Sequence, residues 1–413
     1  MRFIHTADWQ IGKPFARIVD QRKRVLAQQA RFSAVERIGE VAREADAHFV
    51  VVAGDLFDSP RVDRPTVSAA CAAIGRIEIP VIAIPGNHDH AGPGSIWEQE
   101  YFLYEQKQLS PNLVVLTEPS AYRMESALIL ACPLRVRTSW TDPTEWLWSA
   151  GVAHEESSVP RIVLVHGSTQ VFTGICEDED EPNRGTTSGT IDLEKLAASS
   201  IDYVALGDWH GTKQVGPNAW YSGTPEPDRF AKAGEYDSGN VLVVDIEPGG
   251  PCRVRRVGTG RLRWANLNLN VSGDSGAQRA IGQIADAVGG GVDEALLNLT
   301  LTGTISIETA GRLKQELDSQ EARLLRLKLV NQTVIEPTKD ELQSLLASEP
   351  HPLVASVAAR LLEMAAGNDG DAQIARVALR DLYVSVERSA AACSGEVGRP
   401  ACGTAGGLFE VSA

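Results

Sequence analysis

Five short apolar runs in the first half of the chain each end abruptly at a polar residue. The runs are FIHTA before Asp8, HFVVVAG before Asp55, PVIAIPG before Asn87, RIVLV before His166 and DYVALG before Asp208. Short runs rich in valine and isoleucine are typical of buried strands. We therefore predict five strands, each followed by a polar side chain at its carboxyl end.

Amphipathic stretches lie between some of these runs and predict helices. The first extends from about position 20 to 45, and its predicted apolar face consists of Val25, Phe32, Val35, Ile38 and Val41. A second is RPTVSAACAAIGRI. Strands that alternate with helices indicate a layered α/β fold. Three further runs, WYSGTP, NVLVVDI and CRVRRV, are expected to close a second sheet.

The strand ends carry the candidate chemistry. In layered α/β folds, ligands bind beyond the carboxyl ends of the strands, and here those ends carry carboxylate, amide and imidazole groups. These groups are ligands for divalent metals. Gly54 and Gly86 allow tight turns that lift Asp55 and Asn87 off their strands. A lone aspartate or histidine is more often a cap or a core residue, but the coincidence at five strand ends predicts a two-metal site.

The pattern changes after residue 260. We predict one domain over 1–260, which carries the five strand-end residues, and a small α+β domain over 261–338. A helical segment over 339–389 and a disordered tail over 390–413 are expected to follow. The pattern of the small domain predicts a strand, a helix, a second strand, a second helix and a short strand-like run. Ser306 is the expected N-cap of the second helix. The two later helices have apolar faces without an obvious target in the chain.

Composition narrows the class of protein. The chain has 413 residues, of which 43% are hydrophobic and 23% charged, and its net charge is −15. An acidic chain has no general affinity for nucleic acid, so any DNA contact must come from local basic patches. The six cysteines form no C-x-x-C pair, and neither a signal peptide nor a membrane-spanning run is evident. We expect a cytoplasmic, reduced protein.

The motifs ADWQ, GDLFD, GNHD, VHG and GDWH follow one another in the chain. In this order they resemble the calcineurin-like metallophosphoesterases, and FIHTADWQIGKPF, GDLFDS and IPGNHD resemble the SbcD-type DNA-repair exonuclease subunits within them. The resemblance implies a layered metallophosphoesterase β-sandwich flanked by helices, followed by a small α+β DNA-capping domain and C-terminal helices. It also implies Mn²⁺ as the usual metal, with Mg²⁺ as an alternative.

The resemblance implies a role for each strand-end residue. Asp55 would bridge two metals. One site would be completed by Asp8, Gln10 and His210, and the other by Asn87, His166 and Asp208. His88 would bind no metal and would assist the leaving group, while metal-activated water attacks phosphorus.

Two positions depart from the family pattern. Gln10 and Asp208 stand where histidine ligands are expected. An amide carbonyl and a carboxylate both coordinate hard metals, so we predict a retained two-metal site with a shifted metal preference. Degeneration into a scaffold is the alternative reading of the same two changes.

Two basic clusters are candidate DNA contacts, with a solvated surface as the alternative. They consist of Lys13, Arg17, Arg22, Lys23 and Arg24, and of Arg253, Arg255 and Arg256. The five consecutive acidic residues at 177–181 could repel DNA, bind a basic partner or gate the site, and the sequence does not distinguish these roles. The resemblance further implies an SbcC-like coiled-coil ATPase of the SMC family, bound through the helices after position 339, and a homodimer.

These observations favour the nuclease subunit of an SbcCD-like DNA-repair complex. Two other functions stay open. One is a small-nucleotide phosphodiesterase that uses the same site, and the other is a catalytically weakened scaffold subunit.

Overall fold

The computed structural model describes most of the chain. Its described residues are 1–154, 157–169, 190–231, 236–289, 291–335, 338, 340, 343, 346, 352–367 and 369–394. The acidic run at 177–181 and most of the predicted tail lie outside these residues.

The described strands and helices are as follows. The strands are β1 Arg2–Thr6, β2 Val50–Ala53, β3 Val81–Ile84, β4 Leu113–Val115, β5 Ser120–Arg123, β6 Leu128–Cys132, β7 Arg161–His166, β8 Tyr203–Gly207, β9 Lys213–Gln214, β10 Ala219–Tyr221, β11 Asn240–Asp245, β12 Arg253–Gly258, β13 Arg263–Asn270, β14 Ala295–Ile305 and β15 Arg326–Ile335. The helices are α1 Gln21–Glu44, α2 Arg64–Gly75, α3 Glu100–Leu109, α4 Trp146–Ser149, α5 Leu193–Ala197, α6 Gly273–Val288, α7 Ile307–Arg323, α8 Pro352–Ala365 and α9 Gly370–Ser394. Short 3₁₀ turns cover Ile96–Glu98, Val152–His154 and Val292–Glu294.

Two six-stranded sheets form the first part of the fold. The first has the order β12-β11-β1-β2-β3-β4, and the second has the order β5-β6-β7-β8-β10-β9. Strands β1 to β4 are parallel to one another, as are β6, β7, β8 and β10. The carboxyl ends of the central strands in each sheet therefore lie at one edge of that sheet.

The two sheets pack face to face through an apolar layer. Phe3, Val51 and Ile82 from the first sheet share a buried cluster with Ile129 and Leu164 from the second. The opposite face of the first sheet packs against α1, α2 and α3 in a separate cluster. Because the central strands β2, β3, β6, β7 and β8 bury both faces, their sequences are continuous apolar runs rather than alternating ones. The predicted layered sandwich flanked by helices is confirmed.

Helix α1 begins at a defined cap. The Asp20 side chain accepts hydrogen bonds from the backbone N–H groups of Arg22 and Lys23, which satisfies two otherwise unpaired donors. Its buried face includes Val35, Ile38 and Val41, as predicted. The prediction for Val25 is wrong, because this side chain is 41% exposed.

The placement of β11 and β12 differs from the expectation. Both strands join the first sheet, where β11 pairs antiparallel with β1 and β12 pairs with β11, whereas the sequence led us to expect them in the second. An apolar run indicates a strand, but it does not specify the partner with which the strand pairs.

The chain divides into two compact units. The first comprises 1–266 together with 288–298 and 323–327, and the second comprises 267–287, 299–322 and 328–413. Each unit consists of several stretches that are separated along the chain, whereas each domain predicted from the sequence is one continuous range. Those limits therefore stay a prediction.

The later part of the chain contains the predicted small α+β module. Strands β13, β14 and β15 form a three-stranded sheet in that order, with α6 and α7 as the connecting helices. Ser306 Oγ accepts from the N–H of Thr309 at 3.1 Å, which confirms the predicted N-cap of α7.

Helices α8 and α9 pack against another helix of the second unit. Ala358, Leu379 and Tyr383 pack with Ile307 at the start of α7. The expectation that these helices lack an intrachain target is therefore wrong for one face of the pair. No helix in the described ranges has the length and apolarity that a membrane crossing requires.

One buried carboxylate sits at the junction between the loop after β10 and the loop after β12. Glu226 is fully buried, and its two carboxylate oxygens accept from the N–H groups of Arg261 and Leu262, each at 2.8 Å. Burial raises the pKa of Glu226 to about 7, although these hydrogen bonds and the nearby Arg31 and Arg261 lower it. At a pH between 4.5 and about 7, Glu226 is therefore protonated in the folded state and ionised in the unfolded chain, which has the ordinary pKa.

We expect Glu226 to make stability fall as pH rises. The contribution of Glu226 to the free energy of unfolding is fully present below the ordinary glutamate pKa, and it is lost as the pH rises through about 7. In Glu226→Gln one backbone N–H loses its acceptor, so the variant is less stable at pH 5, and the difference from wild type narrows by pH 8. Thermal unfolding at several pH values with a metal chelator present measures this difference. A difference that is constant or widens contradicts the assignment.

Candidate metal centre

Four of the predicted site residues adopt backbone conformations that are costly for side-chain-bearing residues. The φ angles are 53° at Asp8, 44° at Gln10, 56° at Asp55 and 103° at Asp208. Such conformations cost roughly 1–3 kcal/mol each and cluster at functional sites. They follow strands β1, β2 and β8 directly, and they turn the side chains away from the strand direction.

Two glycines let these loops approach one another. A Cβ atom at Gly54 would lie 2.3 Å from His166 Nδ1, and one at Gly86 would lie 2.2 Å from Asp55 Oδ1. Both distances are far below van der Waals contact, so no other residue fits. The close approach brings the carboxyl ends of β2, β3 and β7 together, and a positive φ of 89° at Gly54 accompanies the turn predicted there.

Three buried ligands converge at these strand ends. Asp8, Asp55 and His166 each offer one ligand atom, and these atoms all lie within 4.8 Å of one another. His166 Nδ1 lies 2.8 Å from the carbonyl oxygen of Ala53. Since a carbonyl only accepts, Nδ1 carries a proton, and Nε2 is the ring atom that faces the carboxylates.

Two buried atoms at this point have no hydrogen-bond partner among the described residues. They are His166 Nε2 and Asn87 Oδ1. A buried polar atom without a partner costs about 1–3 kcal/mol, so both atoms are candidates for metal coordination, His166 Nε2 once it has lost its proton. A divalent metal satisfies an imidazole nitrogen and an amide oxygen at once. The donors therefore fit the metal that the sequence predicted at Asn87 and His166.

Asp208 stands beside this cluster. Its carboxylate accepts from Asn87 Nδ2 at 3.3 Å and from Ser168 Oγ at 3.0 Å, and Oδ1 lies 3.8 Å from His166 Nε2. Its backbone N–H donates to Asp8 Oδ1 at 3.1 Å. Asp208 thus replaces the expected imidazole with an oxygen donor at the same edge of the site.

Acidic side chains dominate the surroundings of Asp8 and His166. Burial raises the pKa of Asp8 well above its ordinary value, and the neighbouring Asp55 and Asp208 raise it further, against the effect of His166. Burial lowers the pKa of His166, but Asp55, Asp8 and Asp208 outweigh it and raise this pKa to about 9. Three carboxylates crowded beside one imidazole favour a bound cation.

His88 is held next to the cluster without joining it. Its backbone N–H donates to Asp55 Oδ1 at 2.8 Å, and its Nδ1 donates to the carbonyl oxygen of Asp58 at 2.7 Å. Its Nε2 lies 3.6 Å from Asp55 Oδ2. The ring is therefore fixed with Nε2 facing the site, as a residue that assists a leaving group requires.

The other predicted ligands are arranged differently. Gln10 Nε2 lies 3.0 Å from His88 Nε2 and 3.3 Å from His210 Nε2, while Gln10 Oε1 accepts from Lys13 Nζ at 3.1 Å. His210 is buried but does not belong to the three-residue cluster of Asp8, Asp55 and His166.

Comparison with known proteins identifies the family. The calcineurin-like phosphoesterase family matches residues 1–238. The chain belongs to this family. It is therefore a hydrolase of phosphoesters, and its relatives use divalent metals.

Individual relatives are more distant. The chain is 26% identical over 276 residues to the SbcD subunit of the SbcCD nuclease from Bacillus subtilis (strain 168), a match that covers 60% of this chain and 67% of that protein. A solved structure, TT1561 of Thermus thermophilus, is 11% identical with a TM-score of 0.38, and the match covers 62% of this chain and 98% of that one. A second solved structure is 10% identical with a TM-score of 0.35 and the same coverage.

The phosphoesterase centre contains a buried ionic network that sequence reasoning missed. Asp228 is buried, and its Oδ2 accepts from Arg229 at 2.8 Å and lies 2.9 Å from His210 Nδ1. Lys13 Nζ lies 3.4 Å and the Arg31 guanidinium 3.8 Å from the same oxygen. Although burial raises it, Arg229, His210 and Lys13 hold the pKa of Asp228 well below its usual range. The letters PDRF carry no signal of this network, because Lys13 and Arg31 lie far from Asp228 along the chain.

The pKa of His210 is lowered to about 4. Burial is the largest cause, Arg229 and Lys13 also lower this pKa, and Asp228 raises it. His210 is therefore a neutral imidazole. Its Nδ1 lies 2.9 Å from Asp228 Oδ2 and 2.7 Å from Arg229 Nη2, so this ring atom faces both an acceptor and a donor.

Asp89 is a second missed residue. Its carboxylate accepts from the N–H of Gly86 at 2.7 Å and from that of Phe57 at 3.0 Å, so it ties the loop after β3 to the loop after β2. Burial raises the pKa of Asp89 to about 7, and Asp55 adds to the rise. The GNHD motif contains this residue, but the motif alone did not indicate its role as a brace.

The candidate DNA contacts fall into two groups. Arg17, Arg22, Arg253, Arg255 and Arg256 are exposed, and Lys23 and Arg24 are half-buried. The structure does not support the expectation for Lys13, whose side chain is 2% exposed and lies within the Asp228 network. Charge counted along the sequence does not reveal which way a side chain points.

We expect His166 to be required for metal binding. His166→Gln removes the imidazole Nε2 and should weaken Mn²⁺ affinity by at least about 10- to 100-fold, since losses of this size follow even when only a hydrogen-bond partner of a ligand is changed. His90→Gln is the matched control, because His90 is a histidine in the loop after β3 and lies outside the cluster. Isothermal titration with Mn²⁺ measures both. Equal affinities in the two variants would show that the cluster is not the metal site.

Proposed function

We propose that the chain is the divalent-metal-dependent DNA nuclease subunit of an SbcCD-like DNA-repair complex. The observation that carries the proposal is the convergence of Asp8, Asp55 and His166 at the ends of strands from both sheets. The relative named as a nuclease subunit supports DNA as the phosphodiester substrate. The exposed arginines support contact with a phosphate backbone.

The proposed metal ligands are Asp8, Asp55, Asn87, His166 and Asp208. When bound, the metal supplies Lewis-acid activation of water and neutralises charge that develops on the phosphate. The oxygen-rich donor set favours Mn²⁺ or Mg²⁺ over softer metals. The family pattern implies two metals, and the proposed function requires at least one.

His88 is proposed to act on the leaving oxygen. Asp58 and the backbone contact to Asp55 fix its ring, so that Nε2 is the ring atom that faces the substrate. A proton on Nε2 would be donated to the leaving oxygen or would stabilise its charge.

The proposed DNA track uses the exposed basic residues of the first unit. Arg253, Arg255 and Arg256 lie on β12, which is the edge strand of the first sheet. Arg17 and Arg22 lie in and after the loop that carries Gln10. Arg256 also pairs with Asp237, which reduces its share in a phosphate contact.

The proposed partner is an SbcC-like coiled-coil ATPase of the SMC family. Helices α8 and α9 pack against Ile307 on one face, yet they expose apolar side chains elsewhere: Leu353 is 76% and Ile374 is 68% exposed. Apolar side chains at helical spacing suit docking of a partner helix. A homodimer belongs to the same proposal.

The experiment that tests this function is Mn²⁺-dependent cleavage of linear DNA by wild type and His88→Ala. Loss of the general acid should reduce cleavage by about 10²- to 10⁴-fold. Mn²⁺ affinity should change little, because His88 lies outside the ligand cluster. His90→Ala, from the same loop, should cleave like wild type.

Two outcomes would contradict the proposal. Equal cleavage by wild type and His88→Ala would reject the role of His88. Hydrolysis of bis(p-nitrophenyl) phosphate without cleavage of single- or double-stranded DNA, even with the ATPase present, would indicate a small-nucleotide phosphodiesterase.

A further inference from the structure

The loop after β6 carries a tryptophan that the fold leaves open to solvent. Among the described residues, which include all eight tryptophans, Trp140 is 87% exposed, whereas the other seven are buried or half-buried. Apolar surface stabilises a fold only when it is removed from water, so Trp140 contributes little to the stability of the first unit. Its indole ring is available to a ligand instead.

This loop begins beside the GNHD motif. The N–H of Leu134 donates to the carbonyl oxygen of Pro85 at 3.1 Å, and the carbonyl oxygen of Leu134 accepts from the N–H of Ala91 at 2.8 Å. Pro85 and Ala91 flank the GNHD motif in the chain. Leu134 is therefore joined to both sides of the motif that supplies the proposed ligand Asn87 and the proposed general acid His88.

The far end of the same loop is also attached. The carboxylate of Asp142 accepts from the N–H of Asp192 at 3.1 Å, which joins the loop to the start of α5. Next to the tryptophan itself, the N–H of Thr141 donates to Ser139 Oγ at 3.2 Å and restrains the local backbone. Trp140 therefore lies between two points at which the loop is hydrogen-bonded to the rest of the first unit.

The residues between these two points carry positive charge. Positions 135–141 have the sequence RVRTSWT, which contains two arginines and no acidic residue. Arg135 and Arg137 are both exposed, and Arg135 also pairs with Glu118 at 2.9 Å on the surface. Sites for single-stranded nucleic acid combine cationic groups along the phosphate backbone with aromatic rings on which bases stack. The loop after β6 supplies both kinds of group.

The length of the loop limits which base can reach the tryptophan. Trp140 follows Leu134 by six residues, and six extended residues span at most about 20–22 Å. One turn of duplex DNA is about 34 Å long. A base on Trp140 therefore lies within about one helical turn of a phosphate held at the metal centre, so both belong to the same end of a DNA substrate.

We propose that Trp140 stacks against an unpaired base of the DNA substrate beside the phosphoesterase centre. The faces of a base inside a duplex are covered by its neighbours, whereas an unpaired base in a single-stranded tail has a face to offer. The loop therefore favours DNA with a single-stranded segment near the cleaved bond, and Arg135 and Arg137 contact the phosphates of that segment. This inference rests on the proposed function and adds the class of DNA that the centre accepts.

Mn²⁺-dependent cleavage by the full chain tests the inference on two substrates, a blunt duplex and the same duplex with unpaired tails at both ends. Stacking of one base on an aromatic ring is equivalent to about 5- to 150-fold in affinity. Wild type should prefer the tailed duplex by a factor in this range, and Trp140→Ala should lose the preference. Trp140→Phe keeps an aromatic ring and should retain it. Val136→Ala is the matched control, because it truncates another exposed apolar side chain of the same loop, and it should cleave both substrates as wild type does.

Tails built from abasic nucleotides separate base stacking from a structural role of the loop. They carry the same phosphates without bases, so wild type and Trp140→Ala should cleave the abasic-tailed duplex at equal rates. A preference for base-containing tails that Trp140→Ala retains, or a loss that is as large with abasic tails, would overturn the inference and leave the proposed function intact. Cleavage of none of these duplexes by wild type, even with the ATPase present, would overturn both.

Discussion

The centre depends on two backbone hydrogen bonds that join the loop after β1 to the loop after β2. The N–H of Asp8 donates to the carbonyl oxygen of Gly54 at 3.1 Å, and the N–H of Gln10 donates to that of Asp55 at 2.8 Å. These bonds hold Asp8, Gln10 and Asp55 in left-handed conformations that side-chain-bearing residues otherwise avoid. The strands beneath them are buried in the sandwich, and the result is that the ligand atoms of Asp8, Asp55 and His166 lie within 4.8 Å of one another.

The same two loops also divide the centre by charge. The strand ends of β2 and β7 contribute Asp55 and His166 to an anionic side, where the buried Nε2 atom of His166 and Oδ1 atom of Asn87 are suited to a cation. The loop after β1 turns Lys13 inward to Asp228, and this ion pair fixes the amide of Gln10. One glutamine in place of a histidine thus acts together with a lysine three residues later. The two residues are coupled through a buried contact rather than acting independently.

The sequence predicted the strands and the residues at their ends because both depend on local pattern. Buried parallel strands are continuous apolar runs, and chemistry concentrates where those runs stop. The orientation of Gln10 could not be predicted, because it depends on where Lys13 points. Lys13 was counted with a basic surface, but its partner Asp228 lies in a distant part of the chain and carries no recognisable motif. The pairing of β11 with β1 could not be predicted for a similar reason, since a run of valines does not specify its neighbour.

We infer that the strand ends form a metal-dependent phosphoesterase centre whose metal lies on the side of His166. Anomalous X-ray scattering from crystals loaded with Mn²⁺ tests this claim most directly, because the signal locates the ion independently of activity. We expect a peak in contact with His166 Nε2 and Asn87 Oδ1. The absence of a peak at these two atoms would contradict the claim.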